Sequence, residues 1–293
     1  MIINNKEIEI KNEIKNVTLD NERALYGLTN ALISEVEIRG PRDGESALKE
    51  AHDFKVVNSN FSLRYPFWHV TNFEIESSKM DEGVRAALWY AKHGLINKCE
   101  INGVKFMREC SDIIMNDCKI DSKEFGWRSD DISITSSVIT SEYFLFEASH
   151  INLDNVEMHG KYSFQYVNRG IISNSRLDTK DAFWHTENVT VINSVIVGEY
   201  LGWYSKNLTL INCKIKGTQP LCYCKNLRLI NCEMIDCDLS FEYSSVNATI
   251  IGHIDSVKNP RRGTIICESC GEVITDNPVI KCTGKVATTK KQG

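Results

Sequence analysis

KNLTLINCKIKGTQPLCYC, residues 206–224, is followed at once by KNLRLINCEMIDCDLSFEYS, residues 225–244. The two stretches are close copies, with cysteine at the same place in each, Cys213 and Cys232. Taking that cysteine as an anchor and stepping outward, equivalent positions fall at Ser59, Ser78, Cys99, Cys118, Ser137, Val156, Ser175, Ser194, Cys213 and Cys232. The intervals are 19, 21 and then 19 seven times. Ten units in register mark a repeat architecture, in which each unit is one small supersecondary element.

Each unit has the same internal logic. Two residues past the anchor stands an apolar position (Phe61, Met80, Ile101, Ile120, Ile139, Met158, Leu177, Ile196, Ile215, Met234), and three before it stands another (Val56, Ile75, Ile96, Met115, Ile134, Leu153, Ile172, Val191, Leu210, Leu229). Lys, Glu, Thr and Arg alternate between them, the period-2 pattern of short strands with one buried face. Asn58, Asn155, Asn174, Asn193, Asn212 and Asn231 immediately precede anchors, and asparagine tolerates a bent backbone. A unit this short cannot bury its apolar face alone but can do so by stacking on its neighbours. The pattern therefore predicts an all-β chain, a single-stranded right-handed parallel β-helix (a pectin-lyase-like solenoid) of about 10–12 coils. A helical solenoid is disfavoured by the period-2 pattern, and a pentapeptide helix by the lack of a period of five. The recurring cysteine then belongs to an internal column of small side chains. No His or acidic residue shares that column, so it is not expected to bind a metal.

Seven to eleven residues past each anchor the units read PFWHV, ALWYA, FMREC, FGWRS, FLFEA, SFQYV, AFWHT, LGWYS, PLCYC and LSFEY. Read as a third strand, with the mostly small last letter inside, the middle letters also point inward: Trp68, Trp89, Trp127, Phe146, Trp184, Trp203 and Phe241, interrupted by Arg108 and Gln165. The fourth letters point outward as a column: His69, Tyr90, Glu109, Arg128, Glu147, Tyr166, His185, Tyr204, Tyr223 and Glu242. Their apolar neighbours Phe67, Leu88, Met107, Leu145, Phe164, Phe183 and Leu221 make the strip unusual for a solvated face. Three readings fit: a groove for a polysaccharide or other extended ligand, a homo-oligomer or partner interface, or a surface covered by a loop or the N-terminal segment.

Within the column, Glu109, Arg128 and Glu147 fall in three successive coils. A coil spacing of about 4.8 Å puts the two carboxylates about 9.6 Å apart, close to the separation in inverting glycosidases, with a guanidinium between. A structural ion ladder explains the same alternation, since it avoids like charges on neighbouring strands. Asp112, Asp130 and Asp131 in the next turn are further carboxylates, or ligands for a hard cation.

The 293 residues are 42% hydrophobic, enough for a sizeable core, and carry a formal net charge of -5 with no basic stripe. Nucleic acid is therefore not an expected partner. Charges run through every apolar stretch of MIINNKEIEIKNEIKNVTLD, and no window nears about eighteen uncharged apolar residues. The expectation is a cytoplasmic chain with no membrane association, its eleven cysteines reduced. Residues 1–53 break the period and are read as an N-terminal cap with irregular first coils, residues 54–253 as regular coils and residues 254–293 as a C-terminal cap and tail, one domain overall. Cys267 and Cys270 form a CxxC, with Cys282 twelve residues on. A structural zinc needs four ligands, and the only nearby histidine is His253, so no metal and no cofactor are expected. The final ATTKKQG is read as a disordered tail.

ERALYG, DGESALKE, YPFWH, RAALWY, KDAFWH, GEYLGWYS, SFEYS and IDSVKNP, in this order, resemble a bacterial family of β-helix proteins of unknown function and about this length. Members of that family often carry a hydrogenase label. Nickel-iron sites need paired CxxC motifs and this chain has one, so the resemblance does not imply hydrogenase activity. The family pattern usually lacks cysteine where this chain has CESCGEV, and it implies no catalytic residues. The functional expectation is thus binding of an extended, carbohydrate-like ligand or a partner along the strip, through His69, Tyr90, Tyr166, His185, Tyr204, Tyr223 and Glu242. The alternatives are a glycan-active hydrolase or lyase using Glu109 and Glu147 with Arg128, and a homo-oligomeric scaffold.

Overall fold

The computed structural model describes residues 7–40 and 46–289. The chain forms two compact units, Met1–Asn152 and Leu153–Gly293. The fold is the right-handed parallel β-helix that the period implies, with about 14 turns among the described residues. The turns outnumber the 10–12 expected because the chain also coils where the period fails. Before Ser59 the step is 23 residues, Ala31 pairing with Phe54, and near the end it shortens to 17, Val246 pairing with Gly263.

In the first unit, one ribbon of parallel strands runs through Asn12–Lys15, Thr29–Ser34, His52–Val57, Thr71–Glu76, Lys92–Asn97, Ser111–Asn116 and Asp130–Thr135. Its register stacks Ile33, Val56, Ile75, Ile96, Met115 and Ile134, all buried. The second ribbon stacks Ile38, Phe61, Met80, Ile101, Ile120 and Ile139. The two extra residues of the 21-residue step are absorbed as a register shift between Ile101 and Gly103. In the second unit the corresponding rows are Ile172, Val191, Leu210 and Leu229, and Met158, Leu177, Ile196, Ile215 and Met234. Both inner rows are the ones the period-2 pattern indicates.

Between the two strands the chain turns at the residue before each anchor. Asn58, Asn155, Asn174, Asn193, Asn212 and Asn231 all have left-handed φ, between 48° and 53°, a conformation asparagine reaches at low cost. In the second unit their amides also chain together, Asn212 donating to Asn193 at 3.1 Å and Asn193 to Asn174 at 3.5 Å. All ten anchors are buried. Each serine there does two jobs. Ser175 Oγ donates to the Ser173 carbonyl at 2.7 Å and accepts the Val156 backbone N–H at 3.0 Å. Ser78 accepts from the Ser59 N–H at 3.1 Å, and Ser137 from the Cys118 N–H at 3.0 Å. The thiols of Cys213 and Cys232 make the same local contact, to the carbonyls of Ile211 at 3.3 Å and Ile230 at 3.6 Å. Serine and cysteine interchange because the place requires a small side chain that can also donate a hydrogen. At the small inner position of the third wall, burial pushes the Cys110 thiol up to about 12 and the Cys224 thiol up to about 11. All eleven cysteines are free, and all but Cys282 are buried.

The third stretch departs from the sequence reading. Among the described residues of the ten third stretches, only Phe106–Arg108, Glu124–Trp127 and Tyr143–Phe144 form paired strands. Elsewhere this wall is a turn in which alternate residues are left-handed, with φ of 60° at Tyr65, 62° at Phe67 and 57° at His69. Strand alternation therefore does not apply. Phe67, Leu88, Met107, Leu145, Phe164, Phe183 and Leu221, expected outside, are fully buried. Trp68, Trp89, Trp127, Phe146, Trp184 and Trp203, expected inside, are half-buried on the outer side. Gly126 and Gly202 take the inner position with φ of 75° and 72°, and a Cβ there would lie 2.6 Å from the Leu145 side chain and 2.8 Å from that of Leu221. The small last letters are inside as expected: Val70, Ala91, Cys110, Ser129 and Ala148 in one unit, Val167, Thr186, Ser205 and Cys224 in the other.

The C-terminal stretch differs too. Ala287 and Thr288, read as part of a disordered tail, lie in strand Lys285–Thr288, which pairs with Arg262–Cys267. The last four residues of that stretch are outside the described residues, as is most of GPRDGE at 40–45.

Candidate functional site

The outer side of the third wall carries two adjacent columns. The half-buried one is structural in its polar contacts. Each indole N–H donates to a backbone carbonyl of the next coil: Trp68 to Ala86 at 2.6 Å, Trp89 to Lys105 at 2.9 Å, Trp127 to Tyr143 at 3.1 Å, Trp184 to Tyr200 at 2.6 Å and Trp203 to Gln219 at 2.8 Å. Gln165 does the same through Nε2, to the Asp181 carbonyl at 3.0 Å. Where arginine enters this column its guanidinium is held between rings, Arg108 lying 4.7 Å from Trp89 and 5.0 Å from Trp127. These side chains tie the outer side of the wall to the backbone of the following coil.

The exposed column is the one the sequence singles out. In the second unit Tyr166, His185, Tyr204 and Tyr223 stack in succession, with ring centroids 4.9, 5.0 and 4.8 Å apart and planes within 11° of parallel. Tyr166 and Tyr204 are 48% and 46% exposed. The next rung is Tyr243, 5.9 Å from Tyr223, and not Glu242. One extra residue in this coil moves Glu242 into the half-buried column, where it pairs with Lys258 at 3.0 Å. Burial and the Glu242 charge raise the Tyr223 pKa. Because each ring covers the face of the next, the ladder presents ring edges, phenol hydroxyls and an imidazole nitrogen outward, not open aromatic faces.

In the first unit the column begins with His69 stacked on Tyr90 at 4.8 Å and continues with Glu109, Arg128 and Glu147. Arg128 Nε is 2.7 Å from Glu147 Oε2, both groups well exposed. That bond, followed by the Glu109 charge, raises the Arg128 pKa. Glu147 is thus tied to Arg128, the arrangement of an ion ladder. Any hydrolytic use of the two carboxylates would require Glu147 to leave that pair.

Sequence reasoning missed a second polar column three residues on. Asp53, Asn72, His93, Asp112, Asp131 and His150 all have left-handed φ, between 49° and 54°. His93 Nδ1 is 2.8 Å from Asp112 Oδ2, and Asn72 donates to Asp53. Asp130, one residue before this column, bonds Ser149 at 2.6 Å and His150 at 2.7 Å. Burial opposes the Asp130 charge, but these two bonds outweigh it and lower its pKa. At Asp131, burial and then the charges of Asp112 and Asp130 raise the pKa. The 19-residue step applied to Asp112 and Asp131 would have found this column. Among the described residues no group of three or more His, Cys, Asp or Glu is placed to hold a metal ion. Cys267 and Cys270 are buried, with burial pushing Cys267 to about 11, while the Cys282 thiol contacts the Asn259 carbonyl at 3.2 Å.

The family described as protein of unknown function (DUF3737) matches residues 12–287. The chain belongs to DUF3737. The sequence has no match among curated proteins. Among solved structures this DUF3737 chain is similar to a tailspike protein of E. coli bacteriophage HK620, in complex with a hexasaccharide. The identity is 8%, with 94% of this chain and 73% of that chain covered at a TM-score of 0.50. It is also similar to endo-xylogalacturonan hydrolase from Aspergillus tubingensis (12% identity, 94% and 92% covered, TM-score 0.34) and to the A-module of an Azotobacter vinelandii mannuronan C-5 epimerase (10% identity, 95% and 91% covered, TM-score 0.36). Identities this low attest the fold and nothing finer. Among the described residues no helix is long and apolar enough to cross a membrane.

Proposed function

We propose that the exposed ladder of the second unit binds an extended, hydroxyl-rich ligand of the oligosaccharide class. The observation that carries this reading is the run Tyr166, His185, Tyr204, Tyr223, stacked at 4.8–5.0 Å in an exposed column. It sets one hydrogen-bonding tip per coil along a straight row, a spacing suited to a chain that repeats polar groups. The stacking removes rotamer freedom before any ligand arrives, which lowers the ordering cost of binding. The hexasaccharide-bound tailspike with a similar fold supports the ligand class by analogy. In the first unit, His69 and Tyr90 are proposed to serve as a shorter stretch of the same kind.

The test is titration of the protein with neutral cello-, xylo- and malto-oligosaccharides and with oligogalacturonate, comparing wild type with Tyr204→Phe and Tyr204→Ala. Loss of one hydroxyl in Tyr204→Phe is expected to weaken binding about fivefold, near 1 kcal/mol. Tyr204→Ala, which also breaks the stack, is expected to weaken it more. If Tyr204→Ala instead changes the oligomeric state and leaves every titration alone, the strip is a subunit interface and the ligand reading is wrong.

A further inference from the structure

Asp181 is the one buried acid among the described residues, 7% exposed. It occupies the place that Tyr162 holds one coil earlier and Tyr200 one coil later, nineteen residues away on either side, and all three have left-handed φ of 54°, 53° and 56°. The backbone fixes this stacking: the Tyr162 N–H donates to the Lys180 carbonyl at 2.8 Å, and the Asp181 N–H to the Glu199 carbonyl at 3.0 Å. A short side chain between two long ones leaves its carboxyl at the floor of a notch. The rim is rigid, because Gln165 bonds the Asp181 carbonyl and Trp184 bonds the Tyr200 carbonyl.

The carboxyl itself receives no hydrogen bond from the described residues. Its neighbouring cations are occupied elsewhere. Lys180 pairs with Glu199 at 3.0 Å and lies 5.4 Å from the centre of the Tyr200 ring, while Lys161 lies 5.2 Å from that of Tyr162. Burial raises the Asp181 pKa, the Lys180 charge opposing and the Glu199 charge adding. Asp181 is not among the residues with a sealed and unpaired side-chain atom, so the carboxyl oxygens keep access to solvent, and a ligand hydroxyl can replace water there. Asparagine, the residue this chain uses so freely at left-handed positions, would hold the same backbone without a buried charge. The acid therefore offers an acceptor that no protein donor occupies.

We infer that Asp181 is the specificity-determining contact of a sugar subsite between Tyr162 and Tyr200: its carboxylate accepts hydrogen bonds from the hydroxyls of an uncharged sugar residue and excludes uronates from the notch. This deepens, and rests on, the reading of the adjoining Tyr166–Tyr223 ladder as a glycan-binding surface. It names the ligand as a neutral glycan.

The test uses the full chain and the same two kinds of probe, neutral cello-, xylo- and malto-oligosaccharides and oligogalacturonate, with wild type, Tyr204→Ala and the near-isosteric Asp181→Asn. Wild type is expected to bind a neutral probe and reject oligogalacturonate. Asp181→Asn is expected to lose about tenfold or more toward the neutral probe, the effect of removing a charge-assisted hydrogen bond, and to gain affinity for oligogalacturonate. Asp181→Asn should also melt at or above the wild-type temperature, which separates lost contact from lost fold. If neutral probes bind, Tyr204→Ala weakens them and Asp181→Asn does not, the inference about Asp181 is overturned while the ladder stands. If Asp181→Asn weakens binding and Tyr204→Ala does not, the notch stands and the ladder reading fails. If oligogalacturonate is the preferred probe, or if wild type binds no probe, the inference is overturned.

Discussion

Replacing Ser175 with alanine tests the anchor column at a point where both of its bonds are visible. The hydroxyl donates to the Ser173 carbonyl at 2.7 Å and accepts the Val156 N–H at 3.0 Å, and the residue is 4% exposed. Losing the donated bond costs about 1 kcal/mol net, and stranding a buried N–H costs about 1–3 kcal/mol more. The sum, about 2–4 kcal/mol, corresponds to roughly 4–16 °C in Tm for a unit of this size. Ser175→Cys keeps a hydrogen donor and a weak acceptor, as Cys213 and Cys232 do in the same column, and should cost less than half as much. Urea denaturation followed by circular dichroism and by tryptophan fluorescence measures both, the agreement of the two probes showing whether a single transition is being read. An alanine variant within about 0.5 kcal/mol of wild type would falsify the claim that the hydroxyl, and not merely its size, is what the column selects.

Other outcomes follow from the same geometry. Gly217 has φ of 135° and a Cβ there would lie 2.2 Å from the Gly198 carbonyl oxygen; Gly217→Ala should therefore destabilise by at least about 1–3 kcal/mol, checked by the same melts. At about pH 8, a thiol reagent should modify Cys282 alone in the folded protein, since thiols such as Cys110 and Cys224 are both buried and held well above that pH; mass spectrometry finding label on Cys224 before unfolding would contradict the packing. Arg128→Met should leave the melting temperature unchanged at moderate salt, because the Arg128–Glu147 pair is exposed and screened. The Asp181 pKa is raised above 3.8 in the fold, so its protonation favours the folded state at pH below 3.8 and that contribution is lost as pH rises through the raised value. Asp181→Asn should thus raise stability at neutral pH relative to that at acid pH, and an unchanged pH profile would show that the carboxyl is not desolvated.

Much of the architecture was legible because it is periodic. Anchors nineteen residues apart, two apolar rows and left-handed asparagines at the corners identify stacked coils without reference to any contact, since equivalent residues of successive coils must share an environment. The exposed column was legible for the same reason, down to His185 between Tyr166 and Tyr204. Its limit shows at Glu242, where one inserted residue slips the register and puts Tyr243 on the ladder instead.

What the sequence by itself determined is the repeat, the rows it buries and the outward set of rings and charges. Tertiary structure alone decided the direction of the third wall, because alternating left-handed residues such as Phe67 and His69 carry no signature in residue type and turn Phe67 inward and Trp68 out. It alone decided as well that the ladder rings stack face to face, and that Asp181, one acid among many in the sequence, is 7% exposed at the place between Tyr162 and Tyr200 in its column. Both are consequences of which neighbours stand above and below, and a linear chain does not state the height or tilt of a side chain until the coils are stacked.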